Sequence, residues 1–153
     1  MRTELVSMNE QLEPNKMYRN PEQKLVGHLV PFLQNSGYRV RLEVPSLGQS
    51  ADIVATRGRW VTAIEAKMHD WKKALEQCRV HENLADYVCI ALGTRTISEN
   101  LITAAQEQGY GIIHCSSEEP YCSWVLRPRV NKRLWPAQRE YWIKNLRAIN
   151  YED

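Results

Sequence analysis

Three ionisable side chains of this chain are spaced so that they could do chemistry together. Asp52 lies in Ser50-Ala51-Asp52-Ile53-Val54-Ala55, and Glu65 and Lys67 close Trp60-Val61-Thr62-Ala63-Ile64-Glu65-Ala66-Lys67. Both segments read as short buried strands, with Arg57-Gly58-Arg59 as the turn between them. Side chains alternate along a strand, so Glu65 and Lys67 share a face while Ile64 and Ala66 take the other. Two carboxylates and an ammonium meeting at the end of a hairpin suit a one- or two-metal site. Mg²⁺ prefers carboxylate oxygens and water, and a nearby lysine orients an attacking water or helps to deprotonate it. The competing reading is a solvated strand edge on which Lys67 neutralises one acid. The apolar runs Ile53-Val54-Ala55 and Val61 to Ile64 weigh against that, because acids beside a buried strand are costly unless they bind something.

The elements that must position these residues are legible from periodicity and capping. Asn20-Pro21-Glu22-Gln23 has a good N-cap, a proline at the first helical position and a capping-box glutamine. The helix runs towards Ser36 with Gly37 as its stop, on an apolar stripe of Leu25, Val26, Leu29, Phe32 and Leu33, with Pro31 as a candidate kink. Glu22 sits on or beside the inward face. Tyr38 to Val44 alternates as a half-exposed strand, with Val40, Leu42 and Val44 on one face. Pro45 to Gln49 reads as a loop that delivers the chain to Asp52, and Gln49 and Ser50 have no claim on substrate beyond the general tendency of such loops to contact it. A second helix spans about Asp70 to Asn83, with Asp70 as cap and Trp71, Leu75 and Cys78 as its buried stripe. Lys72, Lys73, Arg79 and His81 decorate it, and Gln77 lies one turn from His81.

Asp86 to Leu92 is a continuous apolar run, the mark of a central strand. Ser98 caps a helix that ends at Gly109, and Gly111 to Cys115 is the next strand. Strand, helix, strand predicts a parallel crossover, hence a mixed sheet. Tyr121 to Leu126 reads as an edge strand, and His114 as a hydrogen-bonded structural histidine or a group that reaches substrate. Pro136 opens a last helix on which the spacing of Trp135, Trp142 and Leu146 predicts docking on the core.

With 153 residues, the chain is long enough for one domain with a real core. A 43% hydrophobic fraction and 25% charged residues are ordinary for a globular protein. A net charge of +2 with a pI near 8.4 excludes a strongly polycationic binder, so local clustering must carry any nucleic-acid argument. That clustering occurs in the tail: Arg127, Arg129, Lys132, Arg133, Arg139, Lys144 and Arg147 face a single acid, Glu140, with aromatic rings interleaved. These cations are expected to be free for phosphates. Cys78 and Cys89 read as buried thiols, and Cys115 and Cys122 as a pair or, with His114, a poor zinc set. No apolar run suggests a signal peptide or a membrane span, so the expected compartment is the cytoplasm.

The pattern of Asp52 followed thirteen positions on by Glu65-Ala66-Lys67 resembles the PD-(D/E)XK nuclease superfamily, with Ala51 where the motif name has proline. The likeness covers roughly Pro21 to Ser117. It implies an α/β, restriction-endonuclease-like αβββαβ core at residues 20–126, its mixed central sheet flanked by helices. An N-terminal arm at 1–19 precedes it, and a basic extension at 127–153, ending in a helix, packs on it. It implies that Asp52, Glu65 and the backbone carbonyl of Ala66 hold Mg²⁺, with Mn²⁺ able to substitute, and that Lys67 activates the water. Glu22 from the first helix would assist the metal, and Gln77 from the second would support the site. Glu22 also reads as an acid favouring the helix dipole, and Gln77 as an ordinary surface glutamine.

The implied function is a metal-dependent endonuclease acting on DNA, with Lys72, Lys73, Arg127, Arg129, Lys132 and Arg133 on the nucleic acid. A homodimer would suit paired cuts on a duplex. The alternatives are a nuclease-like module that binds nucleic acid or joins a larger protein complex, and an α/β domain whose acids are incidental.

Overall fold

Asn20 begins the described chain and starts its first helix. Its side-chain oxygen accepts the Gln23 N–H at 2.9 Å, and Pro21 follows at the first helical position. The computed structural model describes residues 20–148. The expected arm at residues 1–19 lies outside the described residues, as do the side chains of Leu146 and Arg147. Helix α1 (Pro21–Asn35) continues through Pro31, so that proline does not divide it.

Three antiparallel strands follow: β1 (Arg39–Ser46), β2 (Gln49–Arg57) and β3 (Trp60–Lys67). Both connections are two-residue turns. Leu47 and Gly48 have φ of 49° and 87°, the left-handed pair that a tight hairpin uses, so the expected loop at Pro45 to Gln49 is mostly strand. Next come α2 (Trp71–His81), β4 (Tyr87–Leu92), α3 (Glu99–Gln108), β5 (Gly111–Cys115), β6 (Cys122–Leu126) and α4 (Pro136–Ala148). The strands of this six-stranded sheet lie in chain order. β3, β4 and β5 are parallel and β6 is antiparallel to β5, so the sheet is mixed, as the element order predicts.

Alternation along the central strands builds a core on each face. On one side Leu25, Leu29 and Leu33 of α1 pack on Ile53, Ile64, Ala66, Ala91 and Ile113. On the other, Ala74 and Cys78 of α2, Leu101 and Ala105 of α3, and Trp142 of α4 pack on Val54, Val61, Ala63, Val88 and Ile90. Each fully buried leucine or isoleucine contributes about 1.5–3 kcal/mol of transfer free energy. Cys78 and Cys89 are buried thiols, as expected. Cys115 and Cys122 face each other across β5 and β6 as free thiols, the Cys122 Sγ donating to the Cys115 Sγ at 3.9 Å. His114 is structural: its Nε2 lies 2.6 Å from the Thr94 carbonyl.

The tail is strapped to the sheet rather than left free. Arg139 grips Asp86 with two hydrogen bonds of 2.8 and 2.7 Å and reaches the Arg59 carbonyl at 2.9 Å. The same Asp86 carboxylate accepts the Val61 N–H at 2.8 Å. Arg133 pairs with Glu82 through two bonds of 3.0 Å, and Arg129 donates to the Gln106 carbonyl at 2.7 Å. Arg127 lies over the Trp124 ring, 4.6 Å from its centre. The expectation that these arginines are free is thus corrected for three of them, Arg129, Arg133 and Arg139, which hold the extension in place, while Arg127 and Lys132 stay exposed. Trp142 docks as its spacing predicts, 5% exposed, but Trp135 is 53% exposed.

Asp86 is the keystone of that strap. Removing one partner of a buried pair strands the other, at a cost of roughly 3–5 kcal/mol. Asp86→Ala is expected to lower the unfolding free energy by about 3 kcal/mol in urea titrations. A loss under about 1 kcal/mol would mean the strap contributes no more than an exposed ion pair does.

Candidate active site

The β2–β3 ladder pairs Arg57 with Trp60 and runs to Ile53 opposite Ile64. One step further Asp52 and Glu65 are cross-strand neighbours, and there the ladder stops. The Asp52 carboxylate takes the place of a strand carbonyl and accepts the Ala66 N–H at 2.8 Å. On its other side, β1 pairs through Leu42–Ile53 and Val44–Ala51, leaving Glu43 opposite Asp52 with a left-handed φ of 52°. Strand alternation changes phase at this point. Val40 packs on the α1 face and Val44 on the opposite one, and Ile53 and Ala51 divide in the same way. The single face expected for Val40, Leu42 and Val44 is therefore split, with Leu42 exposed, because a left-handed residue rotates the strand.

Glu65 is 1% exposed. Its Oε2 lies 2.6 Å from Nε2 of His81, and Nδ1 of His81 lies 2.9 Å from the Ser46 hydroxyl. Among the described residues its other oxygen, Oε1, is buried and, the Asp52 carboxyl apart, has no hydrogen-bond partner. An orphaned carboxylate oxygen is expensive, on the order of 1–3 kcal/mol or more, unless a proton or cation meets it. Burial pushes the Asp52 carboxyl up to about 7, and the Glu65 charge and a hydrogen bond shared with Glu65 push the same way. The Ala66 N–H and the Lys67 ammonium oppose them. Lys67 is half-buried on the Glu65 face, as strand alternation requires, and its own carbonyl accepts the Gly93 N–H at 3.1 Å.

The structure thus brings together Asp52, Glu65 and Lys67, the residues with which the sequence argument begins. Gln77 faces inward one turn before His81, and its Oε1 is also buried without a partner among the described residues. Glu22 is exposed in the first turn of α1, which packs on the other face of the sheet. Among the described residues no hydrogen bond or ion pair joins it to Asp52 or Glu65. Its helix does start at the right end of the sheet, since Leu25 and Met68 close on Gly93 beyond Lys67. Lys72 and Lys73 are exposed on α2.

Two site residues escape the sequence reading. His81, taken as surface decoration, is wholly buried. The signal was its spacing, since Ala74, Cys78 and His81 form the buried stripe of α2. Ser46 carries no signal, because its burial depends on the tight turn that follows it.

As regards a metal, no group of three or more His, Cys, Asp or Glu side chains among the described residues could hold one. Two carboxylates plus water are nevertheless a normal Mg²⁺ complement, and the Glu65 Oε1 beside Asp52 fits a hard cation.

The raised Asp52 value has a definite consequence for stability. A carboxyl that titrates higher in the folded state favours folding while protonated. Its contribution is full below about pH 4 and is lost as pH rises through about 7. Asp52→Asn keeps an acceptor for the Ala66 N–H and carries no charge. The variant is expected to exceed wild type by on the order of 2 kcal/mol at pH 8 in metal-free buffer, the gap closing towards pH 4. Urea titrations across that range check this, and a gap independent of pH would contradict it.

No protein-family model matches the chain. No curated protein matches it either. Among solved structures it is similar to the SPO1766 protein of unknown function from Silicibacter pomeroyi, with a TM-score of 0.63 at 18% identity, covering 84% of this chain and 85% of that one. A likeness at that identity speaks to the fold alone.

Proposed function

We propose that this chain is a metal-dependent nuclease of the PD-(D/E)XK superfamily, with a restriction-endonuclease-like core, hydrolysing phosphodiester bonds in DNA. One observation carries the reading. Asp52 and Glu65 meet where the ladder opens, close enough for Glu65 to raise the Asp52 carboxyl, with Lys67 alongside and one Glu65 oxygen met only by the Asp52 carboxyl. The element order supports it: a helix, a three-stranded meander, a helix, and a strand parallel to the third.

In this reading Asp52, the free oxygen of Glu65 and the Ala66 carbonyl hold Mg²⁺, or Mn²⁺ in its place. The ion would supply charge neutralisation at the phosphate and leaving oxygen. Lys67 would orient the attacking water and, only as the free amine after its ammonium has released a proton to solvent, accept the water's proton. Asp52, whose backbone bond to Ala66 fixes its direction, holds its second oxygen towards the same point. Exposed Lys72, Lys73, Arg127 and Lys132 attract the phosphate backbone, while Arg129 and Arg133 are already engaged by the Gln106 carbonyl and by Glu82. Glu22 would assist only through water, given its exposed position. The second reading, a module that assembles into a larger complex, is favoured by the open rings of Trp135 and Tyr141 on the tail, 53% and 65% exposed.

The deciding experiment is a cleavage panel of supercoiled plasmid, linear duplex, single strand, branched junction and structured RNA, in Mg²⁺, Mn²⁺ or EDTA. Wild type is expected to cut DNA only with metal. Lys67→Ala is expected to lose at least about 100-fold in rate while unfolding like wild type, the low end for removing a general acid–base group. Asp52→Ala is expected to abolish cutting. A fully active Lys67→Ala protein would overturn the assignment, and salt-dependent binding without any cleavage would favour the assembly module.

A further inference from the structure

Five polar or charged residues are buried among the described ones: Ser46, Thr62, Glu65, His81 and Asp86. Three of them, Ser46, His81 and Glu65, form one continuous hydrogen-bonded chain. Nothing in the catalytic reading uses the first two. Burying three polar groups in an otherwise apolar layer is costly unless their contacts are needed, because a valine or leucine would pack there without desolvation.

An ionised carboxylate only accepts, so His81 Nε2 must carry the proton in its 2.6 Å bond to Glu65. Nδ1 lies 2.9 Å from the Ser46 hydroxyl, which donates to it in the neutral ring and accepts from it in the imidazolium. Ser46 is itself fixed, ending β1 beside Pro45, whose carbonyl accepts the Trp142 indole N–H at 2.7 Å. Ser46 is 1% exposed and His81 is fully buried, so neither meets a substrate. What the chain does is hold one oxygen of Glu65. A glutamate has three rotatable bonds, and with Oε2 held, the only freedom left to Oε1 is small.

We infer that His81, fixed by Ser46, is a positioning residue that engages one oxygen of Glu65 so that the other, together with the Asp52 carboxylate, converges on a single divalent cation. The inference rests on the metal-dependent reading of the site and goes beyond it by assigning a role to two residues outside the Asp, Glu and Lys set. It also gives the C-terminal helix a part in the site, through Trp142, Pro45 and Ser46. Histidines and carboxylates behind a metal ligand commonly set its affinity in this way.

Mn²⁺ binding, read from the electron paramagnetic resonance signal of the free ion, tests this without any cleavage assay. Wild type is expected to take up Mn²⁺ and Asp52→Ala to lose it. His81→Leu keeps the bulk of the ring but has no donor, and its dissociation constant is expected to rise about 10–100-fold. His81→Gln restores an N–H donor and is expected to recover most of that loss. Ser46→Ala, which removes a hydroxyl one step further back, is expected to shift the constant in the same direction by less. Wild-type Mn²⁺ affinity in a folded His81→Leu protein, alongside loss in Asp52→Ala, would overturn the positioning role and leave the metal reading standing. If His81→Leu fails to fold, an unchanged constant in Ser46→Ala overturns it instead. A wild-type protein that takes up no Mn²⁺ would remove the metal reading and this inference together.

Discussion

A carboxylate buried to 1% exposure, one oxygen bonded to His81 and the other met only by the Asp52 carboxyl, is the constraint around which this molecule is arranged. Glu65 sits on the central strand β3, where apolar side chains on either side of it close the two layers of the core. Holding a charge there requires a buried partner on the helix packed above, and α2 supplies His81 from its last turn. It also requires a reason for the second oxygen, and Asp52 across the ladder, sharing the same small volume, meets it only while one of the two carboxyls carries a proton. Two carboxyls held that close raise the Asp52 carboxyl, so that it keeps a proton well above the usual carboxylate range.

The geometry that brings Asp52 there depends on a fault in the sheet. Regular alternation through β1 and β2 would keep Val40 with Val44 and Ala51 with Ile53. The left-handed backbone at Glu43 and the side-chain-to-backbone bond of Asp52 to Ala66 break that alternation at one level across both strands. The carboxylate thereby lies at the end of the ladder, where its oxygens are available, instead of within it. Such irregularities are costly in isolation and are retained where they re-aim a side chain.

The C-terminal extension serves this arrangement from behind. Its ion pairs with Glu82 and Asp86, together with the bonds from the Asn131 amide to the Glu82 and Ala85 carbonyls, fix the segment that leads from α2 into β4. The tail cations therefore act first on the protein itself, and the positive surface left for a polyanion is smaller than their number suggests.

Local chemistry was enough to read much of this from the chain. The N-caps at Asn20, Asp70 and Ser98, the Gly109 stop and the alternation of β3 are set by neighbouring residues, so helix starts, strand identities and the shared face of Glu65 and Lys67 were legible. The mixed sheet followed from element order, because a helix between two strands forces a crossover. The pairing of Asp52 with Glu65 was legible only as a spacing. What the tertiary structure alone decided are the contacts between residues far apart in the chain: Ser46 with His81, His81 with Glu65, Arg139 with Asp86 and Trp142 with Pro45. A histidine at a helix end or an arginine in a basic tail looks exposed in sequence, since nothing local shows the buried acid that awaits it. Burial of a polar group is a property of two distant segments meeting, and only the fold specifies that meeting.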